Sequence, residues 1–125
     1  MPPDTPARRL LAEVDELLGH ASRGTAGLWP RAAALLTRQA LEVALATYWS
    51  KAAPGVEGCS RKAQLLCLGR YLGDEAVAQR AHVVWSAPSH ACHHHVYDLA
   101  PTREELQAWR AAVGEVVART ERAWG

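Results

Sequence analysis

Between Ala32 and Ser50 the chain carries only two charged residues, Arg38 and Glu42, in a stretch whose apolar residues recur at helical spacing. Pro30 is suited to the first turn of a helix, and the pattern predicts a helix from there to about Ala53. A helix that is apolar almost all round must be enclosed by other helices. The chain is therefore expected to fold as a bundle around this segment. Arg38 and Glu42 stand four apart, on one face, and are expected to pair, because an unpaired charge in so apolar a helix is costly. Either they form an internal ion pair that fixes register, or one of them leans toward a histidine cluster further along the chain.

The other segments fit the same class. Thr5-Pro6 is a helix start, and Leu10, Val14, Leu17, Leu18 and Ala21 form an apolar stripe to about Arg23, ended by Gly24 and Gly27. Residues 53–59 read as a loop. Ser60 caps a helix from Arg61 to Leu72, with Leu65, Leu68 and Leu72 inward and Arg61, Lys62 and Arg70 outward; Gly73 ends it. Asp74 caps the next helix, with Val77, Ala81, Val84 and Trp85 inward, and Pro88 is expected to kink it or restart it near Ser86 or Ala87. Thr102 and Glu105 form a capping box for a last helix bearing Leu106, Trp109, Val113, Val116, Val117, Thr120 and Trp124. No stretch alternates with period two. The expectation is one all-α domain over residues 1–125, a bundle of four to five helices, with residues 1–4 as a loose leader.

Charge and cysteine usage narrow the function classes. Fourteen basic and thirteen acidic residues give a net charge of +1, which does not announce a nucleic-acid binder. The basic residues are arginine except Lys51 and Lys62, which with the abundant alanine suggests a GC-rich bacterial genome. Three cysteines, Cys59, Cys67 and Cys92, lack C-x-x-C spacing, which argues against a disulfide framework or a structural zinc site. Without a signal peptide or a long apolar run, the chain reads as cytoplasmic, with no membrane association.

Chemistry concentrates in Ser89-His90-Ala91-Cys92-His93-His94-His95-Val96-Tyr97-Asp98, which holds four of the six histidines. Two imidazoles four apart on a helix, His90 and His94, could chelate a metal with Cys92 or Asp98. The glutamate that follows the first histidine of the helical zinc motif is replaced by Ala91, and no Glu-x-x-His motif occurs, so no metal or other cofactor is expected. General acid–base chemistry is the stronger use, since histidine gives and takes protons near neutrality. The bland alternative is a polar turn whose histidines cap a helix C-terminus.

A helical bundle with a histidine-bearing polar turn before its last helix resembles the HEPN (higher eukaryotes and prokaryotes nucleotide-binding) superfamily. Arg38-Gln39-Ala40-Leu41-Glu42 is similar to the Arg-x-Ala-Leu-Glu stretch of some bacterial members, and the likeness spans about Leu28 to Val117. The resemblance implies a helical domain, often dimeric, from bacterial toxin–antitoxin, defence or RNA-processing systems. It further implies a metal-independent ribonuclease whose motif is an arginine followed, after four to six residues, by a histidine, two copies forming a composite site. Here no arginine precedes a histidine at that interval; His90 stands four intervening residues before His95. His95 is thus expected as general acid/base and His90 as phosphate contact, with His93 or His94 as alternates. Arg38, Glu42, Arg80, Tyr97 and Asp98 are candidate supporting residues, Arg80 only if the Pro88 kink folds it back.

Five tryptophans with no phenylalanine point to packing at Trp49, Trp85, Trp109 and Trp124. His82 is expected in or beside the core, and His20 on the surface. Cys67 and Cys92 are expected buried, with Cys59 in a loop. The apolar second helix and the tryptophans suggest a homodimer. RNA or a nucleotide, and a protein partner such as an antitoxin, are the expected ligands. The competing functions are a non-catalytic nucleotide-, nucleic-acid- or protein-binding module of the same fold, and a histidine-ligated metalloprotein.

Overall fold

A computed structural model describes residues 4–19, 29–92 and 101–123, with residues 88–92 as helix backbone only. Among the described residues there are six helices and no strand: α1 Pro6–Gly19, α2 Trp29–Ala52, α3 Pro54–Glu57, α4 Arg61–Leu72, α5 Glu75–Cys92 and α6 Arg103–Arg122. The all-α expectation is met. His20, Ala21, Arg23, Gly24, Gly27 and Trp124 lie outside the described residues.

The helix ends follow from their caps. The Thr5 hydroxyl accepts the Arg8 amide at 3.3 Å, and the Ser60 hydroxyl accepts that of Ala63 at 3.2 Å. Gly73 ends α4 in the left-handed region (φ 67°), which a side chain would resist. Asp74 Oδ1 accepts the Val77 amide at 3.1 Å and starts α5. The Thr102–Glu105 capping box closes in both directions, at 3.1 and 3.0 Å.

α2 and α6 form a central pair, flanked by α1 against both of them and by α5 against both of them; α4 packs on the outside of α5. Trp49, Leu41, Leu45, Val113, Val116 and Val117 are among the fully buried side chains of the main cluster. A second cluster joins Val14 and Leu18 of α1 to Ala33 and Ala34 of α2 and Leu106 of α6. On α1 the buried stripe is Ala7, Leu11, Val14 and Leu18, one residue round from the expected one; Leu10 and Leu17 are half-buried at its rim. The reason is that α1 must face α2 and α6 at once.

Four expectations are corrected. Residues 53–59 contain a helical turn, α3, with Pro54 at its first position. His82 is exposed, and Cys67 is half-buried rather than buried. Pro88 does not restart the helix: α5 continues through it to Cys92, although proline has no amide to give the Val84 carbonyl.

Buried Gln64 explains how so Pro- and Gly-rich a corner is held. Its Nε2 donates to the carbonyls of Val56, Glu57 and Cys59 at 3.2, 3.1 and 3.1 Å, and its Oε1 accepts Arg61 Nη1 at 2.7 Å. One amide thus ties the far side of the corner to α4, adding to the backbone turn bonds from Val56 to Ala53 and from Cys59 to Val56, both at 2.9 Å. Gln64→Ala should lower unfolding free energy by about 2–3 kcal/mol, because the carbonyls of Glu57 and Cys59 lose the Gln64 donor. Urea denaturation measures this, and a cost under about 0.5 kcal/mol would remove Gln64 from that role.

Candidate functional site

The sequence candidates fall into two groups. His93, His94, His95, Tyr97 and Asp98 lie outside the described residues, as does the side chain of His90, whose backbone belongs to the last turn of α5. Arg38, Glu42 and Arg80 are described in full.

Arg38 and Glu42 do pair: Arg38 Nε lies 3.5 Å from Glu42 Oε1. The pair is not in the centre of the bundle, since a quarter and a third of the two side chains remain exposed (25% and 32%). It stands where α2 meets α5. There the Arg38 guanidinium carbon lies 5.3 Å from the ring centre of Trp85, a cation–π contact. Nothing in local sequence pattern predicts this contact between residues on separate helices. The one available signal is that a lone arginine in an apolar helix needs a face to lie on.

The engagement of Arg38 is electrostatic only. At 3.5 Å the contact with Glu42 is not a hydrogen bond, and Nε is buried without a hydrogen-bond partner among the described residues. Arginine has five N–H donors in a planar fork suited to carboxylates and phosphates. The unpartnered Nε is itself buried, although a quarter of the side chain as a whole stays exposed. Trp85 lies five residues before His90 on the same helix, about 7–8 Å along its axis.

Arg80 is placed differently. It forms an ion pair with Glu115 of α6, and the continuity of α5 through Pro88 leaves it about 15 Å along the axis from His90. The fold-back that would have brought it to the histidines does not occur between Arg80 and Cys92. Among the described residues no three His, Cys, Asp or Glu side chains gather as a metal site, and no helix is long and apolar enough to cross a membrane.

The chain matches no family model, no curated protein and no solved structure.

The pair itself is testable. A double-mutant cycle of Arg38→Ala and Glu42→Ala should give a coupling of about 0.5–1 kcal/mol, since both groups are partly hydrated. It should shrink in high salt. Trp85→Leu should weaken the hold on Arg38 by a similar amount, about 0.5–1 kcal/mol, read by thermal unfolding of Trp85→Leu with and without Arg38→Ala. A zero coupling in either comparison would show that the contact carries no stability.

Proposed function

We propose that this is a HEPN-like helical ribonuclease of a bacterial toxin or defence system, metal-independent, acting through the run from His90 to His95. Support comes from Arg38. The motif that the sequence lacks would supply an arginine near a histidine along the chain. Across the α2–α5 contact, the Arg38 guanidinium lies over the ring of Trp85, five residues before His90.

The chemistry requires few parts. The ribose 2′-hydroxyl attacks the adjacent phosphorus, and a neutral imidazole, assigned to His95, takes its proton. The P–O5′ bond breaks, and a protonated imidazole gives its proton to the departing 5′-oxygen, leaving a 2′,3′-cyclic phosphate and a 5′-hydroxyl. His90, when protonated, and Arg38 answer the charge growing on the phosphate oxygens; arginine does so at all accessible pH. His93 and His94 are the alternate proton carriers, and Tyr97 and Asp98 would orient an imidazole. A composite site would make the active form a homodimer, and a protein antitoxin would be its partner.

A second reading has its own observation. The Arg38 charge is already answered by Glu42 and the Trp85 ring, which weakens its pull on a phosphate. The same surface would then bind RNA or a nucleotide without turnover.

Tag-free protein should degrade RNA in the presence of a chelator, with a bell-shaped pH profile from one neutral and one protonated histidine. His95→Ala should reduce the rate about 100-fold or more. Full cleavage by that variant would overturn the assignment. RNA bound but left intact by the wild type would establish the second reading, and neither binding nor cleavage would end both.

A further inference from the structure

We draw no further inference here: the strongest candidate, the outward face of α2 along Leu35, Gln39 and Ala46, is an unpartnered helix face, and nothing among the described residues shows what covers it.

Discussion

The bundle depends on burying α2 between three other helices. Its alanines at 33, 34, 40 and 44 are small enough to let helix backbones come close, while Leu41, Leu45 and Trp49 fill the space further along. Each large side chain removed from water contributes roughly 2 kcal/mol, so the order of the whole bundle follows from satisfying this one helix. The same arrangement makes unpaired polar groups costly. Thr37 complies by donating its hydroxyl to the Ala33 carbonyl at 2.7 Å, within its own helix. The apolar girth of α2, which suggested self-association in the sequence, is largely taken up inside one chain.

A charged pair can persist in such a helix only at its margin. Burying Arg38 and Glu42 completely would cost more in lost hydration than their attraction returns. At the α2–α5 margin the pair keeps part of its water, and the Trp85 ring offers the guanidinium a negative face without demanding hydrogen-bond geometry. The result is a cation held in place but not saturated. That is a different object from the saturated surface pair of Arg110 and Asp15, whose two hydrogen bonds measure 2.7 and 3.0 Å.

Helix existence and most helix ends were legible because they rest on local chemistry: Ser60, Gly73, Asp74 and Thr102 act within a few residues of themselves. Features requiring two distant segments were not. The rotation of the α1 stripe depends on where α6 lies, and the cation–π contact depends on α2 and α5 running side by side. α3 was missed because Pro54 and Gly55 signal a turn as strongly as a helix start, and the deciding group, Gln64, lies beyond them in a helix of its own. At Pro88 the restart that the local signal allows does not occur, and helical backbone continues to Cys92. Of the candidate site, the sequence supplied the Arg38–Glu42 pairing but not its position at the edge, nor its aromatic partner.

A net charge of +1 suggests a surface with little preference for polyanions, and the pairing pattern shows why that inference is too coarse. Acids are drawn into contacts with arginines on α1, α2, α5 and α6: Glu121 with Arg8, Asp15 with Arg110, Glu115 with Arg80, Glu42 with Arg38. Each such pair removes equal amounts of both signs from the field seen at a distance. α4 has no acid of its own, and Lys62 and Arg70 form no ion pair among the described residues although the total is almost zero. Screening over about 8–10 Å at ordinary ionic strength makes the local arrangement, not the sum, what an approaching molecule meets. The total therefore bounds long-range steering and says little about contact. On α4 one side serves the core through Leu65, Leu68 and Leu72, and the opposite side is left to carry charge of one sign.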